Sequence, residues 1–280
     1  MIREISCGDV KDAVRGAILR AVAILPDDIR RGIRDARASE SNPLSQELLD
    51  ILISNYEISQ KHNVPLCQDT GALCVYIRIG QDVHITGGDV SVALDEAVRE
   101  AYEGGYLRKS VCSPLDRLNT RDNTPAFIDW EVVPGNKLQL LIVPKGGGCE
   151  NMSRGSILKV SDGMEGVRNY VLQCVRDAAS APCPPYVLGV GIGGNMESCA
   201  RLSKKALYRD ICAPNPDPAL AEMENDLKDS INAMGIGVAG SGGDITCMRV
   251  NVETHFTHIT SLPVAVSFGC NSLRKVEVTL

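Results

Sequence analysis

Residues 65–80 read PLCQDTGALCVYIRIG, and the hydrophobic pattern of the chain changes inside this stretch. Leu73, Val75, Ile77 and Ile79 occupy every second position. That spacing places all four side chains on one face of an extended chain, so it predicts a β-strand. The strand follows a short polar segment that ends in glycine, and such segments at strand ends often approach a ligand.

The residues before this stretch have helical periodicity. Apolar residues recur on one helix face over residues 10–21, which predicts a first helix. Pro26 suits the first turn of a second helix, and Ser45 is a candidate N-cap of a third. We therefore expect a helical N-terminal portion over about residues 1–64.

The rest of the chain mixes both periodicities. The patterns predict helices at about 89–102, 164–178, 197–207 and 219–234, and strands at about 73–79, 126–132, 137–143, 186–190, 245–252 and 264–268. We expect an α/β (mixed α+β) fold, in which the helical portion is followed by mixed β-sheets with flanking helices. The prediction is a single catalytic domain over residues 1–280, with its mixed α/β portion at about 65–280.

Composition narrows the class of protein. Of the 280 residues, 44% are hydrophobic and 23% charged, which excludes a disordered, collagen-like or coiled-coil chain. A net charge of −6, scattered basic residues and 4% aromatic residues disfavour nucleic-acid binding. No apolar run is long enough to span a membrane, and no secretory signal is visible, so we expect a cytoplasmic protein.

Eleven cysteines without a secretory context favour metal-binding or catalytic thiols over disulfides. No C-x-x-C pair occurs, which excludes zinc ribbons and ferredoxin-type sites. Cys67, Cys183 and Cys270 are widely separated, and each lies beside a Pro or Gly turn. Three dispersed thiolates could hold three irons of a [4Fe–4S] cluster and leave the fourth iron as a Lewis acid.

Several polar segments are candidates for function, but each one taken alone allows more than one interpretation. CQDTG at 67–71 could combine a metal-binding thiol with an acid/base carboxylate, or it could be a polar turn with a half-buried cysteine. KGGGCEN at 145–151 could bind an anion through backbone N–H groups, but glycine-rich turns after strands are common. His255 and His258 are more typical of structural histidines than of metal ligands.

Residues 189–194 match G-x-G-x-x-G, the fingerprint of dinucleotide-binding folds. Asp210 lies at the distance where such folds place an acidic residue, but there it should end a second strand. Residues 198–207 instead have the pattern of a helix. A nicotinamide-dependent oxidoreductase using Gly189–Gly194 therefore stays an alternative of a different enzyme class, and the match is more typical of a chance occurrence.

Taken together, these segments resemble the α subunit, equivalent to the N-terminal domain, of the iron–sulfur class I fumarase and L-tartrate dehydratase family. The resemblance covers nearly the whole chain. Its motifs are CQDTG (67–71), LRKS (107–110), TPAF (124–127), KGGGCENMS (145–153), CPPYVLGVGIGG (183–194) and THITSLPVAV (257–266), followed by Cys270.

The resemblance implies a [4Fe–4S] cluster with one iron that carries no protein ligand. The residues matching its ligands are Cys67, Cys183 and Cys270. Asp69 matches the family's candidate acid/base residue. The positions that meet the substrate, or lie beside it, are Gln68, Arg108, Gly146 and Gly147. Two positions depart from the family pattern: Cys149 stands where serine is more frequent, and Asn271 follows Cys270 where histidine is common.

The implied activity is reversible addition of water to a C4 dicarboxylate, with fumarate to L-malate preferred over dehydration of L-tartrate to oxaloacetate. A dicarboxylate requires two cationic contacts, and the motifs supply only Arg108. We therefore expect a separate, smaller β subunit that completes the site, and an oligomer of αβ pairs. A non-catalytic cluster carrier or redox sensor would leave CQDTG and KGGG without a role.

Overall fold

A computed structural model describes residues 2–280. The helices are α1 (Cys7–Ala23), α2 (Asp27–Ser39), α3 (Pro43–His62), α4 (Val90–Gly104), α5 (Gly147–Glu150), α6 (Gly163–Ala178), α7 (Met196–Leu207) and α8 (Pro218–Asn232). The strands are β1 (Arg3–Ser6), β2 (Ala72–Gly80), β3 (Val83–Thr86), β4 (Phe127–Val133), β5 (Leu138–Lys145), β6 (Arg154–Leu158), β7 (Tyr186–Gly193), β8 (Cys247–His255), β9 (Leu262–Gly269) and β10 (Val276–Thr279).

These elements confirm the mixed α/β class. Across residues 2–280, every helix is too short or too polar to cross a membrane. The chain forms two compact units, and each contains more than one segment of sequence. The first unit has residues up to Pro26, Tyr56–Gly147 and Arg274–Leu280, and the second has Asp27–Asn55 and Gly148–Leu273. A single catalytic domain over residues 1–280 stays a prediction.

The first unit is a four-stranded sheet of order β10-β5-β2-β4, with β1 and β3 as a separate parallel pair. Strand β2 is parallel to β4 and antiparallel to β5. Helices α1 and α4 cover one sheet face, because their apolar stripes pack against Val75 and Ile77 of β2 and Leu140 of β5. Ser6 caps α1 by accepting the Asp9 N–H at 3.0 Å.

The second unit is a sheet of order β6-β9-β7-β8, in which β7 is parallel to β8 and antiparallel to β9. Strand β7 is buried along its whole length. Leu188 and Val190 belong to the core formed with α6 and α8. The intervening Gly189 and Gly191 lie against α7. The sheet is therefore covered by helices on both faces, as its continuous apolar run requires.

One predicted helix start is wrong. Helix α3 begins at Pro43 rather than after Ser45, because the Asn42 side chain accepts the N–H groups of Leu44 at 3.0 Å and Ser45 at 3.2 Å. Ser45 is buried, and its hydroxyl donates to the Gly242 carbonyl at 2.5 Å. The residue therefore joins two segments of the second unit instead of capping the helix.

Candidate functional site

Two polar loops of the first unit meet at one end of the β2–β5 pair. Ala72, the first residue of β2, pairs with Lys145, the last residue of β5. Asp69 precedes β2 and Gly147 follows β5, so the antiparallel register brings them together. Oδ2 of Asp69 accepts the Gly147 N–H at 2.8 Å, and its Oδ1 accepts the Gly71 N–H at 3.1 Å. Two main-chain donors therefore fix the Asp69 carboxylate.

This arrangement bears on the predicted anion loop at residues 145–151. The Gly147 N–H already donates a hydrogen bond to an anion, the Asp69 carboxylate. A Cβ atom at Gly146 would lie 3.2 Å from Asp69 Oδ2, so a side chain here would crowd the carboxylate. The glycines thus allow a close approach, as expected. Direct contact of Gly146 and Gly147 with a substrate stays a prediction.

Gly71 occupies a backbone position that other residues disfavour. Its φ is +85°, and a Cβ atom would lie 2.6 Å from the Lys145 carbonyl carbon. We predict that Gly71→Ala lowers the free energy of unfolding far more than Gly88→Ala, where φ is +138° and no atom lies within 4 Å. The left-handed conformation costs about 1–2 kcal/mol, and the clash at Gly71 adds about 1–3 kcal/mol.

Urea unfolding of both variants measures this difference in the free energy of unfolding. Equal losses in the two variants would contradict the close approach of Gly71 to β5, because both substitutions place a Cβ at positive φ and only one meets the neighbouring backbone.

Arg108 lies on the loop that follows α4, and its side chain is exposed. Its carbonyl accepts the Thr70 hydroxyl at 3.1 Å, which ties this loop to the Asp69 loop. Asn123 is fully buried and accepts the N–H groups of Ser110 at 2.7 Å and Val111 at 3.2 Å. Arg108 and Asp69 therefore belong to one connected set of loops, while Gln68 is exposed beside it.

Two buried side chains that the sequence analysis missed hold the turn after Asp69. The Tyr102 hydroxyl donates to the Gly71 carbonyl at 2.7 Å, and Asn123 Nδ2 donates to the same carbonyl at 3.2 Å. Burial raises the pKa of Tyr102 well above its ordinary value, so the hydroxyl remains a donor at neutral pH. Asn123 immediately precedes the TPAF motif, but its role depends on contacts that are distant in sequence.

Arg274 is a third missed residue. It is 3% exposed, and its Nη2 donates to the Asp69 carbonyl at 2.8 Å. It follows Cys270 by four residues in a segment that no motif included. Arg274 lies between β9 and β10, and neither periodicity nor a motif singles it out. The first unit therefore places a buried cation next to the predicted acid/base residue.

The second unit brings Cys183 and Cys270 onto adjoining loops. Val187 of β7 pairs with Gly269 of β9, so the segment before β7 and the segment after β9 emerge at the same sheet end. The Cys183 carbonyl accepts both the main-chain N–H of Asn271 at 3.2 Å and its Nδ2 at 3.1 Å. Asn271, one of the departures from the family pattern, thus links the two cysteine loops.

The thiol chemistry separates the predicted ligands from core cysteines. All eleven cysteines are reduced. Cys183 is exposed, and Cys67 and Cys270 are half-buried. Burial raises the pKa of Cys199 to about 11 and that of Cys247 to about 12, which keeps both protonated. Accessible thiols are the soft donors that iron–sulfur clusters use, so the three candidates fit this group in donor type.

Cys149 is 6% exposed and belongs to the core of the second unit, which agrees with its omission from the ligand set. Within residues 2–280, no three or more His, Cys, Asp or Glu side chains form a group that could hold a metal ion. Cys67 belongs to the first unit, and Cys183 and Cys270 belong to the second. The three-cysteine ligand set therefore stays a prediction.

The glycines of the dinucleotide-like match have a packing role. A Cβ at Gly189 would lie 2.1 Å from the Ser203 carbonyl oxygen, and one at Gly191 would lie 2.2 Å from that of Cys199. Both glycines let α7 pack closely on β7. No strand lies between α7 and Asp210 in this described stretch, so the order of elements that a dinucleotide fold requires is missing.

The histidine pair and a further glycine-rich segment, at 240–244, also have local explanations. His258 Nδ1 lies 2.9 Å from the Thr260 hydroxyl, and His255 Nδ1 lies 3.0 Å from the Phe256 carbonyl. Both rings are exposed. In the segment at 240–244, the buried Glu40 carboxylate accepts the Asp244 N–H at 2.9 Å. The backbone of that segment therefore already donates a hydrogen bond to a carboxylate, that of Glu40.

Comparison with known proteins agrees with these motifs. The family model for fumarate hydratase (Fumerase) matches residues 11–279. The chain belongs to the fumarate hydratase family. The predicted recognition and the predicted hydro-lyase activity are therefore confirmed. A Methanocaldococcus jannaschii protein provisionally named L(+)-tartrate dehydratase subunit alpha is 37% identical over 267 residues, which cover 93% of this chain and 94% of that relative.

Bacterial relatives give the same result at lower identity. The Escherichia coli L(+)-tartrate dehydratase subunit alpha is 31% identical over 255 residues, which cover 90% of this chain and 84% of the relative. The Shigella sonnei protein of the same name has the same identity and coverage. The similarity to these L(+)-tartrate dehydratase alpha subunits thus extends over both compact units.

Proposed function

We propose that this chain is the α subunit of a hydro-lyase that interconverts fumarate and L-malate. The observation that carries the proposal is the Asp69 carboxylate, which two backbone N–H groups hold at the meeting point of the predicted substrate loops. Membership of the fumarate hydratase family supplies the reaction class. The finer choice of substrate rests on the sequence resemblance.

In this proposal Asp69 moves the proton. In the dehydration direction its carboxylate accepts a proton from the carbon beside one substrate carboxylate, and the electron pair of that C–H bond forms the double bond. The hydroxyl leaves from the neighbouring carbon as hydroxide, with the electrons of the C–O bond. Hydroxide takes up a proton from solvent to give water, and Asp69 releases its proton to solvent. Hydration runs the same steps in reverse, so protonated Asp69 returns the proton.

The other residues of the loops bind and orient the substrate. Arg108 is exposed and has a planar guanidinium that can form a bidentate pair with a carboxylate. Gln68 offers an amide beside Asp69, and Gly146 and Gly147 allow close approach of an anion. Holding the reacting carbon near Asp69 is the main contribution of such contacts, because correct orientation removes most of the entropic cost.

We also propose that Cys67, Cys183 and Cys270 hold a [4Fe–4S] cluster. When bound, its iron without a protein ligand would supply a Lewis acid that assists loss of the hydroxyl. Support comes from the family resemblance, from the accessible thiols, and from the Asn271 contacts that join two of the cysteine loops. A cytoplasmic location, where thiols stay reduced, is proposed on the same sequence grounds.

A separate β subunit is the proposed partner, in an oligomer of αβ pairs. The relatives named above are all alpha subunits. Near Arg108, residues 111–120 form a hairpin in which Cys112 bridges to Asn119. Its tip exposes Leu115 by 93% and Leu118 by 69%. Apolar side chains this exposed often mark a protein interface, and here they lie beside a substrate-binding candidate.

L-Tartrate dehydration to oxaloacetate is the second candidate function. The similar proteins are named for tartrate, which favours it, while the family is named for fumarate. Both reactions eliminate water from a C4 dicarboxylate, so the residues of this chain serve either one. The difference is a hydroxyl on the carbon that loses the proton.

The test is an anaerobic assay of the chain co-purified with its β partner, with fumarate, L-malate and L-tartrate as separate substrates. We predict turnover of fumarate and L-malate at a kcat/KM at least tenfold above that for L-tartrate. The reverse ratio would assign the second candidate. The chain without its partner should retain less than about a hundredth of the rate, since the second cationic contact of the substrate is then missing.

A further inference from the structure

Arg274 is the arginine that the structure buries most deeply among the described residues. It is 3% exposed and begins the last segment of the first unit. Its Nη2 donates to the Asp69 carbonyl at 2.8 Å, while Nε and Nη1 are buried without any hydrogen-bond partner. A buried guanidinium is always charged, and burying that charge with unsatisfied donors is unfavourable.

The position of this charge relates it to the anion loop. A Cβ at Gly146 would lie 3.6 Å from Arg274 Nη2 and 3.2 Å from Asp69 Oδ2. The guanidinium therefore lies close to both Gly146 and the Asp69 carboxylate. Both groups also act on the buried Tyr102 hydroxyl, since Arg274 lowers the pKa of Tyr102 and Asp69 raises it, each less strongly than burial does.

We propose that Arg274 is a positioning residue for the proton-transfer step. Its N–H holds the Asp69 main chain, and its charge offsets the repulsion between the Asp69 carboxylate and an incoming dicarboxylate. The inference deepens the proposed function and rests on it. If Arg274 served only packing, Arg274→Met, which keeps the apolar stem, would change kcat/KM only as far as it changes folding stability.

Two variants of similar length separate the charge from the packing. Arg274→Lys keeps a positive charge and a donor, whereas Arg274→Met keeps only the apolar stem. In the holoenzyme with its β partner, we expect Arg274→Met to lower kcat/KM for the better substrate at least a hundredfold, through a higher KM and a lower kcat. Arg274→Lys should have a kcat/KM at least tenfold above that of Arg274→Met.

The control is Arg78→Met, which removes an exposed arginine of β2 that pairs with Glu131 of β4 in the same unit. It should leave kcat/KM within twofold of the unmodified enzyme. Thermal unfolding of all variants shows whether a loss of kcat/KM is explained by lower folding stability rather than by the missing charge. If Arg274→Met and Arg274→Lys have equal kcat/KM, or if activity follows the melting temperature alone, the inference is wrong.

A second readout does not depend on turnover. Asp69–Thr70 is the single Asp-Thr pair in the sequence. Labelling aspartate carbonyl carbons and threonine amide nitrogens therefore gives one carbonyl–amide cross-peak in an NMR spectrum of the full chain. Arg274→Met should shift this peak, because the hydrogen bond to the Asp69 carbonyl is lost, while Arg78→Met should not.

These results also separate two kinds of failure. An unmodified holoenzyme that turns over neither fumarate nor L-tartrate would overturn the proposed function, whatever the spectrum shows. An active holoenzyme with an unmoved peak in Arg274→Met would overturn the positioning role alone.

Discussion

Replacing Asp69 with asparagine is expected to lower kcat for the better substrate by about a hundredfold to ten-thousandfold, the usual loss when a general acid/base is removed. The substitution is isosteric. One amide oxygen can still accept an N–H from Gly71 or Gly147, which now donate at 3.1 and 2.8 Å. The amide NH2 cannot accept the other N–H, so the loop keeps one of its two main-chain hydrogen bonds while it loses the group that accepts the proton.

The measurement is steady-state kinetics of the αβ complex, with fumarate hydration followed at saturating substrate. Asp12→Asn is the matched control, because Asp12 lies on the exposed side of α1 and its ion pair is with Arg15. It should leave kcat unchanged. KM separates the alternatives for Asp69: a rise in KM with unchanged kcat would mean that this residue only binds the substrate.

The sequence predicted the long elements of the fold because each of them buries one periodic face. Helices α4, α6 and α7 and strands β2 and β7 all start within a few residues of the predicted positions. The short strands β1, β3, β6 and β10 were missed. Each has four or five residues, too few for a clear period, and each is a strand because a neighbouring segment offers hydrogen bonds.

The candidate site likewise contains residues that the sequence predicted and residues that it missed. CQDTG and KGGG were visible because their chemistry is contiguous in sequence, and the register of β2 and β5 explains why they meet. Tyr102 and Arg274 act on the Asp69 loop across 31 and 205 residues of sequence. Such pairings depend on tertiary packing, so periodicity and spacing contain no sign of them.

Helix packing also explains the glycine motif at 189–194, which the sequence analysis treated as a chance match. Gly189 and Gly191 match the dinucleotide fingerprint because both kinds of site need glycine where a helix lies close to a strand. In this chain the close neighbour is the α7 backbone itself. A pattern of glycines thus predicts close approach, and the surrounding elements decide whether a ligand or a helix is what approaches.

Replacing any one of Cys67, Cys183 and Cys270 with serine is expected to reduce bound iron and acid-labile sulfide from about four of each per chain, the content of one such cluster, to near zero. Serine is a poor ligand for iron in these clusters, and a site with three protein ligands has none to spare. The chain should be purified and reconstituted without oxygen, and metal and sulfide measured in parallel.

The controls separate ligand loss from misfolding. Cys212→Ser removes an exposed thiol and Cys149→Ser a buried one, and both should retain the cluster. Asn271→Ala removes the Nδ2 contact to the Cys183 carbonyl but keeps every thiol. This variant is expected to lose iron faster in air than the unmodified protein, and equal rates would show that the contact does not support the site. Retention of the full iron content by any one of the three ligand variants would remove that cysteine from the set. Because Cys183 and Cys270 lie on joined loops, Cys67 is the ligand for which the experiment is most informative.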